Sequence, residues 1–135
     1  MTRVSIFLAA LAAVVLAGCA TSGTSDHGYV SAIPNDRPSQ NIFRVNINQV
    51  DGKLASAGPN HRVDPGTHTI SVSLIFNPAW GQGMQRTQDE IYYQDLEIDI
   101  EPGVTYWIGA KVDTKASAEA QRDGSFWEAM VVEQR

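Results

Sequence analysis

HRVDPGTHTISV, residues 61–72, decides the fold. From His68 onward, Ile70 and Val72 alternate with Thr69 and Ser71, and Leu74 and Phe76 continue the apolar series. This period of two marks a strand with one face in a core. Pro65 and Gly66 precede it as a turn, since proline presets a negative φ and glycine accepts a positive one. A tight hairpin here pairs Val63 with His68 and His61 with Ile70. The two histidines then lie diagonally on one face, about 7–8 Å apart. One metal ion could reach both, but zinc takes four ligands, or three and a water. No third ligand is suitably spaced, and His27 stands far upstream. The histidines are therefore expected to be structural, with His68 opening a core-facing series and no metal or other cofactor implied.

The same alternation recurs on either side. Phe43, Val45 and Ile47 alternate with Arg44, Asn46 and Asn48 over residues 42–50, and Asp51-Gly52 closes the strand with a strong hairpin signal. Pairing Val50 with Lys53 sets Gln49 against Leu54 and predicts Leu54 on the core face. Downstream, residues 91–100 place Leu96, Ile98 and Ile100 inward, and 105–112 align Tyr106, Ile108, Ala110 and Val112. Residues 114–124 read as a loop or a short helix capped by Thr114 and ended by Gly124. A last strand over 126–133 leaves its face open between Trp127/Ala129/Val131 and Phe126/Met130/Val132. The expected fold is all-β: a small two-sheet antiparallel sandwich of six or seven strands, immunoglobulin- or transthyretin-like. Glu101-Pro102-Gly103 echoes Asp64-Pro65-Gly66, which reads as one turn solution used twice rather than as a duplication.

The N-terminus carries its own signal. Arg3 precedes an apolar run, Val4 to Ala17, too short for the roughly 20 residues of a membrane-spanning helix. A charged start, a short apolar stretch and small residues describe a secretory signal peptide. Leu16-Ala17-Gly18-Cys19 resembles the lipobox of bacterial lipoproteins. That resemblance implies cleavage after residue 18 and lipidation of Cys19, the chain's one cysteine. Two or three acyl chains make a firm anchor. Ala20 after the cysteine, where aspartate would signal inner-membrane retention, favours the outer membrane facing the periplasm. The expected organisation is a signal peptide over 1–18, a lipidated cysteine with a flexible tether over 19–40, and one sandwich domain over 41–135.

A second resemblance covers most of residues 42–112. Val50–Gly52, Pro65–Val72 and Gly103–Ala110 resemble the V-D-G hairpin, the P-G-x-H-x-I-x-V strand and the G-x-x-Y-x-I-x-A strand of PEGA-type sandwich domains, found in lipoproteins of unknown function. It implies a fold rather than an activity.

Composition narrows the function. The chain has 10 Lys and Arg against 15 Asp and Glu, a net charge of −5, and loss of Arg3 makes the mature balance more negative. This excludes a basic nucleic-acid footprint and electrostatic attraction to anionic lipid heads. Asp89, Asp95, Glu97, Asp99 and Glu101 share one parity; an extended strand cannot wrap calcium, so they read as a solvated face guarding an edge. A catalytic role lacks a free thiol or a G-x-S-x-G elbow, and the chain is expected not to be an enzyme. For partner binding, the candidates are Trp80 and Met84 in the loop Asn77–Thr87, with Tyr93 and Trp107. The competing reading of Trp80 folds it back over Trp107. The leading expectation is a non-enzymatic outer-membrane lipoprotein that meets an envelope protein or supports envelope structure. The alternatives are a glycan-binding module using Trp80, Tyr92, Tyr93 and Trp107, and a transthyretin-like lipoprotein anchoring a secretion complex.

Overall fold

The computed structural model describes residues 26–75 and 92–135. Two sheets face each other, and the class is the β-sandwich expected from the alternation. The strands are β1 (Gly28–Ala32), β2 (Ile42–Phe43), β3 (Val45–Val50), β4 (Lys53–Leu54), β5 (Asn60–Val63), β6 (Gly66–Leu74), β7 (Tyr93–Ile100), β8 (Thr105–Val112) and β9 (Trp127–Gln134). One sheet runs β4-β3-β6-β7. In the other, β8 has β9 along one side, with β1 and then β2 along the opposite side, and β5 lies outside β1. All pairings are antiparallel except that of β1 with β8. The core between the sheets is built from the inward series: Val45 on β3, Ile70 and Val72 on β6, Ile98 and Ile100 on β7, and Tyr106, Ile108 and Ala110 on β8.

The stretch expected to be a flexible tether carries a strand. Residues 28–32 form a strand between β8 and β5, with Val30 and Ser31 fully buried. The fold therefore begins inside the stretch assigned to a flexible segment. Gly28 opens this strand because the opposite sheet comes too close for a side chain: a Cβ would lie 2.5 Å from Ile100 Cγ2 and 2.8 Å from the Glu101 carbonyl.

β1 also overturns the expected hairpin. β5 pairs with β1, Val30 opposite His61 and Gly28 opposite Val63, while β6 pairs with β3 and β7. Pro65-Gly66 is thus a corner that carries the chain from one sheet to the other, with Gly66 at φ 117°. Pro102-Gly103 makes the return crossing from β7 to β8, with Gly103 at φ 77°. The repeated sequence marks two passages between sheets, not two hairpins.

Asp51-Gly52 is the hairpin the sequence promised. Both residues have positive φ, 51° and 77°, and Gln49 pairs with Leu54 and Val50 with Lys53. Leu54 nevertheless points outward and is 86% exposed. The cause is a bulge at Asn48: Ile47 pairs with Val72, but Gln49 pairs with Ser71 and Val50 with Ile70. One extra residue reverses the facing of everything after it. Val50 turns inward in place of Gln49, and Leu54, opposite Gln49, turns out.

The remaining differences are local. Helix α1 spans Ala118–Asp123, capped by Ser117, whose Oγ accepts from Ala120 N at 3.2 Å, rather than by Thr114. It ends at Gly124, φ 82°. On β9 the buried residues are Trp127 and Ala129, and a second bulge, between the Trp107–Glu133 and Ile108–Val131 pairs, shifts its far end.

Candidate functional site

The outer face of the four-stranded sheet is ordered into cross-strand rows by the register just described. Asn46, Ser73 and Tyr93 form one row across β3, β6 and β7. Leu54, Gln49, Ser71 and Asp95 form the next, running on from β4. Thr69 lies beside Glu97, and Thr67 beside Asp99. Adjacent strands are about 4.8 Å apart, so the rows make a continuous platform of amides, hydroxyls and carboxylates. Ser71 Oγ donates to Asp95 Oδ1 at 2.5 Å. Tyr93 is the exposed aromatic residue of this platform, at 57%. The carboxylates of Asp95, Glu97 and Asp99 sit on β7, the sheet's edge strand, where charge opposes edge-to-edge association.

The candidate binding residues do not assemble as one surface. Trp107 lies on β8 between the core residues Tyr106 and Ile108, so it faces the outside of the five-stranded sheet. It is half-buried and borders a groove of about 410 Å³ with Ser31, Arg44 and Pro59. Tyr93 belongs to the outer side of the opposite sheet. Tyr92, expected at a glycan surface, is a core residue, 7% exposed, with its ring edge-on to Phe126 at 6.0 Å. Cys19, Trp80, Met84 and Asp89 lie outside the described residues.

The histidines separate as well. His61 sits on β5 and His68 on β6, in different sheets. His68 joins the rim of the sandwich: its Nδ1 meets Asp51 Oδ2 at 2.5 Å and its Nε2 meets the Asp64 carbonyl at 2.7 Å. The imidazole thus ties the Asp51-Gly52 turn to the Pro65-Gly66 corner. The hydrogen bond to Asp51 raises the pKa of His68 above the ordinary histidine value, against a smaller opposing effect of burial, and holds the Asp51 carboxyl below its own. Asp51 Oδ1 also accepts from Thr69 N at 2.9 Å. His61 faces inward opposite Val30 and is 7% exposed. Burial lowers its pKa and favours the neutral ring. Its Nδ1 has no hydrogen-bond partner among the described residues. Among those residues no group of three or more His, Cys, Asp or Glu side chains could hold a metal ion.

One feature escaped the sequence reading. Gln94 occupies an inward position on β7, opposite Val72. Its Nε2 donates to the Trp127 carbonyl at 2.9 Å, and its Oε1 accepts from Ala129 N at 2.8 Å. The amide imitates a strand along the free edge of β9 and closes the β7–β9 side of the sandwich. A lone amide within the apolar series of β7 was the available signal.

No family model matches the chain, and no solved structure matches it. It is similar to glucans biosynthesis protein G from three strains of Vibrio cholerae serotype O1, 31% identical over 80 residues. The match covers 56% of this chain, which spans 15% of the length of those relatives. Among the described residues, no helix is long and apolar enough to cross a membrane.

Proposed function

We propose that this chain is an envelope lipoprotein, anchored through Cys19 to the outer membrane and facing the periplasm, whose sandwich binds a glucan-type polysaccharide. The binding surface is the outer face of the four-stranded sheet. The observation that carries the reading is Tyr93, exposed at the end of the Asn46–Ser73 row and next to Ser71 and Asp95. A sugar ring offers C–H groups on its face and hydroxyls around its edge. An exposed tyrosine ring takes the face, while amides, hydroxyls and carboxylates take the hydroxyls. The similarity to glucans biosynthesis protein G supports this ligand class. A protein partner is the weaker reading because the centre of a protein interface is depleted of charge and rich in Trp, Tyr and Arg. Among the described residues this platform instead carries three carboxylates on one strand and a single aromatic residue.

Affinity electrophoresis through gels containing a soluble β-glucan tests the proposal. The wild-type protein is retarded, and Tyr93→Ala runs at the speed it shows in a plain gel. Unretarded wild type, or a Tyr93-dependent crosslink to one envelope protein in intact cells, overturns the glucan reading.

A further inference from the structure

The two sheets are fastened at both sides, and the fastenings differ in kind. On the β7–β9 side the fastener is Gln94, a neutral amide that offers a donor and an acceptor and uses both. On the other side it is His68, which stands on β6 in the four-stranded sheet. Its Nδ1 meets Asp51 Oδ2 at the β3–β4 turn, at 2.5 Å, and its Nε2 meets the Asp64 carbonyl, at 2.7 Å. Asp64 directly follows Val63, the last residue of β5 in the five-stranded sheet.

Both partners of His68 are acceptors. Neither an ionised carboxylate nor a carbonyl has a proton to donate. A neutral imidazole carries one N–H and one lone pair, so it can bond only one of the two. The other contact would set lone pair against lone pair at hydrogen-bond distance. Only the imidazolium, with an N–H on each nitrogen, makes both bonds. The surroundings favour that form. The carboxylates of Asp51 and Asp64 both act on the ring. Lys53 on β4 and His61 and Arg62 on β5 line the same cleft. From β7, Ile98 stands opposite His68, while Glu97 and Asp99 lie beside Thr69 and Thr67 on the outer face.

When the ring loses one proton, the two contacts are unequal. A bond to an ionised acceptor is roughly twice as strong as one to a neutral carbonyl. Asp51 is also pinned in place: its Oδ1 accepts from Thr69 N at 2.9 Å, and its own N–H donates to the Thr69 carbonyl at 2.8 Å. The remaining proton therefore stays on Nδ1, and Nε2 turns a lone pair toward the Asp64 carbonyl. β5 is the outer strand of its sheet, four residues in one ladder to β1. The contact just beyond Val63 is a substantial part of its polar fastening.

We propose that His68 is a proton-operated latch between the sheets: doubly protonated, it fastens the Asp64 corner and the end of β5 to the Asp51 turn, and loss of the Nε2 proton releases them. The Gln94 amide has no proton to lose in the same range, so the β7–β9 side stays closed and the sandwich loosens from one side only. The latch is independent of the glucan reading.

The test is NMR on the full chain in detergent micelles, from about pH 5.5 upward past the ordinary histidine value. It follows both ring nitrogens of His68 and the exchange protection of backbone amides, corrected for intrinsic exchange. At the acid end both nitrogens carry protons. As the pH rises, Nε2 loses its proton while Nδ1 keeps one. At the same midpoint, protection of the β5 amides falls by about tenfold, as loss of a bond to a charged donor implies, and that of Ala129 beside Gln94 does not. Titration of His61 acts with the opposite sign, since charging that buried ring loosens β5 as the pH falls. In Asp51→Asn the release moves to lower pH together with the His68 midpoint, and in His68→Gln the alkaline loosening disappears. Should His68→Gln fail to fold, Asp51→Asn decides alone. A ring with a single proton at the acid end, proton loss from Nδ1 instead of Nε2, or β5 protection unchanged across the midpoint overturns the latch. So does β5 loosening at an unaltered pH in either variant.

Discussion

The side-chain amide of Gln94 reaches across from β7 to the backbone of Ala129 on β9, accepting its N–H at 2.8 Å while donating to the Trp127 carbonyl at 2.9 Å. The two sheets are thereby joined at one side by hydrogen bonds rather than by packing alone. Gln94→Ala leaves a part-buried N–H and a carbonyl unpaired, and a stability loss of about 1–3 kcal/mol is expected from urea denaturation. An unchanged midpoint would show that water replaces the amide without cost.

The bulge at Asn48 makes a sharp contrast between two leucine-sized side chains. Leu54→Ser is expected to shift stability by no more than about 0.5 kcal/mol, as an exposed substitution. Ile70→Ala, fully buried on β6, is expected to cost about 2–5 kcal/mol. Comparable losses at both sites would mean that the strand after Asn48 keeps the unbulged register.

Acidification acts on the two histidines in opposite directions. His68, with a raised pKa, contributes stability that is complete below the ordinary histidine value of about 6.5 and fades as the pH climbs through its folded value. His61, with a lowered pKa, contributes stability that is present above that value and fades as the pH falls. Asp51→Asn keeps a residue that tolerates the positive φ but removes the carboxylate beside His68. In that variant the titration of His68 followed by NMR should move down. Urea midpoints between pH 8 and pH 5.5 should fall further than in the wild type, because the cost of charging His61 is no longer offset.

Anchoring has its own test. Cys19→Ala is expected to leave an uncleaved or unlipidated precursor. A variant that still matures and enters the detergent phase would exclude lipidation at this position.

The parts of the fold legible in the sequence are those governed by near neighbours. β8 shows its limits, Thr105–Val112, in the sequence because Tyr106, Ile108, Ala110 and Val112 alternate without interruption. The Asp51-Gly52 turn was legible because two consecutive positive φ values demand such residues. Pairing was not. The corner at Pro65-Gly66 looks locally like a hairpin, and only β1, more than thirty residues upstream, determines where β5 goes. β1 itself is five residues, Gly28–Ala32, in a polar stretch, too short for alternation to stand out. A bulge leaves no periodic trace until its partner strand is known, so alternation alone places Leu54 on the wrong face. Of the candidate binding residues, Tyr93 lies on an exposed face and Trp107 lies on the far side of the sandwich, a separation that parity within single strands cannot reveal.

The place of β1 has a mechanical consequence. Nine residues lead from Cys19 to Gly28, a reach of at most about 30 Å at 3.3–3.6 Å each. Under the proposed lipidation of Cys19, so short a reach would keep the sandwich close to the bilayer surface. Tension applied through the residues before Gly28 would enter at a strand gripped on both sides, by β5 and by β8. A pull that would merely straighten a loose linker must here shear two ladders at once, so the attachment point is among the parts of the molecule most resistant to force.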